Sequence, residues 1–230
     1  MSYHRQILLS TLFIVLVACS PKSPASQGSG PSGVGASGTA GLPAAPAHVL
    51  SCDAPVAKDA SAKSLLATYP GDAVVGTING PEGSEAHGVI LFGNDPTRRL
   101  EITFWDDAMT KVSDISLGSA ATAWTGPSGL HLGSGLDDVR AANGKPFGLF
   151  GFGWDYGGMV NDLKGGQLVH LPGGCSLSVR LGTADGVNIP DALSGEKTLS
   201  SDDPAVKALV PKVETLSIGW PAPPGQSDTE

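Results

Sequence analysis

Positive charge is scarce in this chain and is nowhere concentrated. The 14 lysines and arginines stand against 22 aspartates and glutamates, which gives a net charge of −8 at pH 7. Binding to nucleic acid or to anionic lipid headgroups depends on clustered Lys and Arg. The composition therefore predicts no nucleic-acid partner and leaves a protein, a glycan or a small ligand as the partner.

The chain also lacks the residue spacings typical of a metal centre or a catalytic nucleophile. Its three cysteines include no Cys-x-x-Cys pair, and there is no Gly-x-Ser-x-Gly motif. Asp155, Asp162 and His170 do not have a spacing typical of metal ligands. We therefore predict no metal, no cofactor and no catalytic residue that can be assigned from a motif.

A long hydrophobic run is absent as well. The apolar segment from Ile7 to Ala18 has twelve residues, whereas a membrane-spanning helix needs about 20. Twelve residues after a weakly basic start match the hydrophobic region of a secretory signal. The segment ends in Leu16-Val17-Ala18-Cys19, which resembles the lipobox of bacterial lipoproteins. By this resemblance residues 1–18 are a lipoprotein signal peptide; an ordinary signal peptide followed by a chance cysteine is the alternative.

The lipoprotein resemblance implies an anchor and a location. Cys19 would become the acylated N-terminal residue, so that acyl chains such as palmitate hold the protein in the lipid bilayer. Ser20 rather than Asp follows it, and the resemblance then implies the outer membrane, with the protein facing the periplasm or the cell surface. Residues 19–48 are rich in Ser, Gly, Ala and Pro without apolar periodicity, which predicts a disordered linker, and the tail 221–230 is similar.

Cys52 and Cys175 are the two cysteines that remain once Cys19 is lipidated. An even pair in an exported chain predicts a disulfide. Here it would connect the start of the domain to a late strand. Two free buried thiols, or half of a metal site, are the alternatives.

The domain itself, residues 49–220, is predicted to be α+β, with a mainly antiparallel sheet and two or three short helices. The strands show apolar residues at alternate positions, and the helices show helical spacing between a capping residue and a Gly or Pro stop. Helices are predicted at 60–69, 134–143 and 203–209, the first two with Ser61 and Ser134 as caps. Strands are predicted at 73–78, 87–92, 99–105, 112–117, 120–124, 159–163, 167–171, 175–181 and 213–220.

Five of the thirteen aromatic residues fall in the segment Phe147–Gly158, which reads FGLFGFGWDYGG. Phe150, Phe152, Trp154 and Tyr156 alternate with smaller residues, as in a strand with two different faces. We predict that this segment is the central strand of the second half. Its aromatic face would lie in the core, and its glycine face would admit a neighbouring element.

Asp155 lies within this aromatic row. In a half-buried strand its carboxylate must find hydrogen-bond donors, and this structural role is the expected one. The alternative is a hydrolase in which Asp155 acts as the acid or base beside a second titratable group. A glycan or small-ligand site built from exposed tryptophans is a third hypothesis, against which stands the simpler role of covering the sheet. The tryptophans concerned are Trp105, Trp124, Trp154 and Trp220.

Residues 60–125 and 130–182 share a pattern of short helix, Gly or Pro stop, strand and hairpin, which suggests a tandem repeat. The string GSGLDDVRAANGKPF resembles the helix-to-strand opening of SmpA/OmlA-type outer-membrane lipoproteins, and a two-copy version is similar in layout to the β-lactamase-inhibitor-protein fold. Extended through FGLFGFGWDYGG, it resembles a group of exported bacterial proteins, a likeness that implies no activity. The expected function is that of a membrane-anchored envelope lipoprotein, a non-catalytic protein-interaction module that binds another envelope protein.

Overall fold

The structure is a computed structural model, and it describes residues 48–224. The predicted signal peptide, Cys19, almost all of the predicted linker and most of the tail lie outside the described residues. The described part contains three α-helices and eleven strands in mostly antiparallel sheets, which confirms the α+β prediction. No helix in this part of the chain has the length and hydrophobicity of a membrane span.

The helices are α1 (Ala62–Thr68), α2 (Leu136–Asn143) and α3 (Pro204–Ala208). The strands are β1 (His48–Val49), β2 (Ala73–Asn79), β3 (Glu85–Leu91), β4 (Leu100–Phe104), β5 (Val112–Leu117), β6 (Trp124–Thr125), β7 (Gly148–Phe150), β8 (Val160–Asp162), β9 (Ser176–Gly182), β10 (Thr198–Ser200) and β11 (Lys212–Gly219).

Six strands form the main sheet, in the order β2-β3-β4-β5-β11-β9, and every neighbouring pair is antiparallel. Strands β2 to β5 follow one another as a meander, whereas β11 lies between β5 and β9. The alternation in β4 shows how the sequence selects a face, because Leu100 and Ile102 are fully buried while Glu101 between them is partly exposed. The buried side chains of the sheets and helices join in one core.

Local capping sets the ends of the helices. In α1, the backbone N–H of Ser64 donates to the hydroxyl of Ser61 at 3.1 Å, and the reverse bond has a length of 2.8 Å, so Ser61 is the cap as predicted. The cap of α2 is Gly135 rather than Ser134, because the carboxylate of Asp138 reaches back to the Gly135 N–H at 2.7 Å. Gly144 ends α2 with a φ of +70°, a conformation that suits glycine.

The strands of the second half of the chain are divided between two sheets, and the tandem-repeat prediction, in which each half has its own sheet, is wrong in this respect. Strands β10, β7 and β8 form a small sheet, but β9 and β11 join the main sheet. In the main sheet β9 pairs with β11 from Lys212 to Gly219, which is a longer run of hydrogen-bonded pairs than the three-residue strands of the small sheet allow. Strand β10 was not predicted at all, since three residues are too few to show a period.

The predicted strand at 167–171 is also absent, and one turn of 3₁₀ helix over Gln167–Val169 takes its place. The side chain of Asn143, at the end of α2, accounts for this. Its amide nitrogen donates to the carbonyl of Leu163 at 3.0 Å, and its oxygen accepts from the N–H of Leu168 at 3.4 Å. Since Asn143 is fully buried, these bonds satisfy backbone groups that a strand partner would otherwise satisfy.

Cys52 and Cys175 form a disulfide, with their Cα atoms 5.4 Å apart. Each cysteine is only 3% exposed. The bond joins the segment before α1 to the residue before β9, two positions 123 residues apart in the chain. It therefore closes most of the domain into one covalent loop.

Candidate functional site

The aromatic segment is a strand only at its start. Strand β7 ends at Phe150, and the chain then turns, with a hydrogen bond from Gly157 N–H to the Trp154 carbonyl at 2.9 Å. Gly153 and Gly158 have φ values of +83° and +75°, which lie outside the range of a regular strand. The prediction of a continuous strand through Tyr156 is therefore wrong, although β7 does lie in the middle of the small sheet.

The aromatic side chains divide between the core and the surface. Phe152 is 3% exposed and belongs to the core, as predicted. Phe150, Trp154 and Tyr156 instead pack on one another at the surface and are partly exposed. The rings of Phe150 and Trp154 are 5.7 Å apart and edge-on, and those of Trp154 and Tyr156 are 5.3 Å apart and tilted. The three surface rings therefore form a single contact group.

Asp155 is exposed, so the predicted half-buried structural role of its carboxylate is wrong. Within residues 48–224, that carboxylate takes part in no hydrogen bond or ion pair. The Arg180 guanidinium donates a hydrogen bond to the backbone carbonyl of this residue at 3.2 Å. Asp162 is held by Lys164, which lowers the pKa of that carboxyl, first through hydrogen bonding. The described residues contain no group of His, Cys, Asp and Glu side chains that could hold a metal.

The other tryptophans do not share one surface. Trp124 and Trp220 are buried, and the indole N–H of Trp124 donates to the Arg98 carbonyl at 2.9 Å. Trp105 is partly exposed. Trp124 and Trp220 therefore contribute to packing, and Trp154 is the tryptophan that packs against Phe150 and Tyr156 at the surface.

A second feature of the surface is the open edge of β2. This strand is the outermost strand of the main sheet, and within the described residues it pairs only with β3. Backbone hydrogen bonds from the Phe92 N–H to the Asp72 carbonyl and from the Gly80 N–H to the Ser84 carbonyl lie at the two ends of the β2–β3 pair. Because inward and outward positions alternate in an antiparallel pair, the N–H and C=O groups of Val75 and Thr77 point away from β3.

The open edge of β2 is apolar and uncharged. Its sequence, AVVGTIN, contains no charged residue and no proline. Val74 is 51% exposed and Val75 is 47% exposed, and Leu66 on the adjacent α1 is 40% exposed. Sheet edges in monomeric proteins are usually protected by charge, proline or a covering element. This edge has neither charge nor proline, and it is suited to bind an extended segment.

Comparison with protein-family models, with curated protein sequences and with solved structures finds no match to this chain.

Asp114 on β5 is a perturbed carboxyl that the sequence pattern did not single out. It accepts hydrogen bonds from the hydroxyls of Ser116 at 2.7 Å and Ser217 at 2.9 Å. Burial raises the pKa of Asp114, and the two hydroxyl bonds oppose that shift only in part. Its partner Ser217 lies on β11, about 100 residues away in sequence, so no local signal could have found the pair.

We predict that Asp114→Asn stabilises the domain at neutral pH. A carboxyl whose pKa is raised by folding holds its proton more tightly in the folded than in the unfolded state. The free energy of unfolding therefore falls as the pH rises from 3.8, the ordinary pKa of Asp, through the higher pKa of the folded state. The amide avoids this decline and keeps partners for Ser116 and Ser217. Urea unfolding at neutral pH and below pH 3.8 measures the free energy of unfolding of both chains. The advantage of the variant over the native chain should shrink on acidification. Exposed Asp185→Asn is the control; an Asp114→Asn gain that grows in acid would contradict the prediction.

Proposed function

We propose that this chain is a membrane-anchored envelope lipoprotein whose domain, residues 49–220, is a non-catalytic protein-interaction module. The observation that carries the proposal is the open, charge-free edge of β2. An extended segment of a partner would pair with the outward N–H and C=O groups of Val75 and Thr77. Such strand addition derives its affinity from main-chain hydrogen bonds and its specificity from the side chains beside them.

The surroundings of β2 favour a particular kind of partner segment. Val74 and Val75 lie on opposite faces of the strand, so an apolar partner strand would cover exposed apolar surface on both faces. Exposed carboxylates flank the strand, Asp72 at one end and Glu82 and Glu85 at the other. A segment of β-branched residues with Lys or Arg at its ends therefore fits best.

The proposed site of membrane attachment is Cys19. The 28 residues between Cys19 and His48 could span at most about 100 Å, so a lipid-anchored chain can place β2 well away from the bilayer. Acylation at a single N-terminal residue supplies membrane attachment without a spanning helix. The location proposed is the outer membrane, with the domain facing the periplasm or the cell surface.

Cys19→Ser should prevent lipidation. We expect labelled palmitate to be incorporated into the native chain and into Ser20→Ala, the matched control, but not into Cys19→Ser. The substituted protein should also leave the membrane fraction, because it has lost its acyl chains. Palmitate labelling that persists in Cys19→Ser would contradict the anchor while leaving the β2 proposal intact.

A photo-crosslinking residue at Val74 should give an adduct with one envelope protein in intact cells. Val75→Pro should abolish the adduct, because proline removes an outward N–H that the fold does not use. The same crosslinker at Val210, which is 69% exposed far along the chain, is the control for random collisions. An adduct that survives Val75→Pro, or that forms equally at Val210, would contradict binding at the β2 edge.

A further inference from the structure

We propose that Phe150, Trp154, Asp155 and Tyr156 form a binding site for a neutral pyranose ring of a glycan. This surface, which we call the aromatic platform, does not involve β2. Its role is independent of the protein partner proposed above.

The rings of the aromatic platform are held in a fixed arrangement. Trp154 contacts Phe150 on one side and Tyr156 on the other, with ring centroids 5.7 and 5.3 Å apart. The indole N–H of Trp154 donates to the Gly151 carbonyl at 2.9 Å, which fixes the plane of the ring. All three rings keep part of their surface exposed even though they cover one another.

The backbone under the platform is equally constrained. Phe152 donates to the Leu193 carbonyl at 2.8 Å and accepts from the Gly195 N–H at 3.1 Å. A Cβ at Gly151 would lie 2.6 Å from the Gly195 carbonyl oxygen, so the two chain segments approach as closely as glycine allows. A ligand would therefore meet a surface that is already ordered, which reduces the entropy lost on binding.

Asp155 provides the polar part of the site. Its side chain is exposed, and its carboxylate has no partner within the described part of the chain, while Arg180 holds its backbone carbonyl at 3.2 Å. A free carboxylate beside aromatic rings can accept two hydroxyl donors in charge-assisted hydrogen bonds. In the proposed site this carboxylate, which lies between Trp154 and Tyr156 in sequence, is the acceptor for the hydroxyls of the bound sugar.

A sugar satisfies both parts of this surface. The C–H face of a pyranose can lie against the electron-rich face of an aromatic ring while its hydroxyls donate to the carboxylate. An apolar peptide would leave the Asp155 carboxylate desolvated without a partner. An acidic glycan would meet both that carboxylate and the net charge of −8. A neutral chain of pyranoses with equatorial substituents, which present flat C–H faces, is therefore the ligand class we infer.

The test uses the full chain and two neutral probes, the β-1,4-linked tetramers of N-acetylglucosamine and of glucose. Titration calorimetry should show saturable binding of at least one tetramer. Asp155→Asn and Tyr156→Ala should each weaken it about tenfold or more, as expected for losing a charge-assisted bond or a stacked ring. Asp155→Asn replaces an exposed side chain with its isostere and leaves the fold unchanged.

Trp105→Phe is the matched control, because Trp105 is a partly exposed tryptophan outside the platform. It should bind as tightly as the native chain. The proposal is overturned if neither tetramer binds at concentrations up to about 10 mM. It is equally overturned if Asp155→Asn or Tyr156→Ala binds with the native affinity.

Discussion

Replacing both Cys52 and Cys175 with alanine will lower the free energy of unfolding by about 4–5 kcal/mol. The two cysteines are 123 residues apart in the chain, and closing so long a loop removes many conformations from the unfolded state. The loss is large beside the 5–15 kcal/mol by which typical domains are stable. We therefore expect the doubly substituted domain to be close to unfolding at physiological temperature.

Urea unfolding of the full chain, followed by tryptophan fluorescence, measures this effect. The native chain in strong reductant should approach the doubly substituted chain, because reduction removes the same covalent loop. Cys52→Ala alone should cost nearly as much as the double substitution, since either change removes the bond. A loss below about 1 kcal/mol would show that the disulfide adds little to stability in this fold.

The elements that could be predicted from the sequence are those whose pattern is local. Strand β4 follows from the alternation of Leu100, Glu101 and Ile102, and α1 from a serine cap followed by helical residues. The pairing of Cys52 with Cys175 follows from counting cysteines. In each case a few neighbouring residues, or a simple count, contain the whole signal.

What could not be predicted depends on distant parts of the chain. The order of the main sheet places β11 between β5 and β9, and this order is what brings Ser217 to Asp114. It also leaves β2 at the edge, although the residues of β2 resemble those of an interior strand. Which strand lies at the edge, and which carboxyl has its pKa raised by desolvation, are properties of the assembled sheet.

The aromatic segment failed as a strand prediction for a different reason. Its period of two is real, but three of the four intervening residues are glycines, and Gly153 and the later Gly158 adopt positive φ. Alternation with glycine is compatible with a strand and with a tight turn, and only tertiary contacts decide between them. Here the chain packs against Leu193–Gly195 on one side and β9 on the other, and a turn results.

Gly158→Ala will destabilise the domain by about 3 kcal/mol or more. Gly158 has a φ of +75°, and a Cβ there would overlap the carbonyl oxygen of Leu181 on β9. The clash would separate the loop from the edge of β9, where Leu181 N–H donates to the Gly158 carbonyl at 2.9 Å. Urea unfolding measures the loss of stability, and fluorescence quenching of Trp154, with Trp105→Phe as the background, measures the loosening of the loop.

Gly165→Ala separates the two causes of the destabilisation by Gly158→Ala, which are the positive φ and the clash with Leu181. Gly165 also has a positive φ, +65°, but a Cβ there would meet nothing within 4 Å. It should therefore cost only the backbone penalty, about 1–2 kcal/mol, and leave the quenching of Trp154 unchanged. If Gly158→Ala costs no more than Gly165→Ala, the contact with β9 does not support the loop. If it costs more, the same contact holds the aromatic platform in place, and weaker binding of the sugar tetramers should accompany the lost stability.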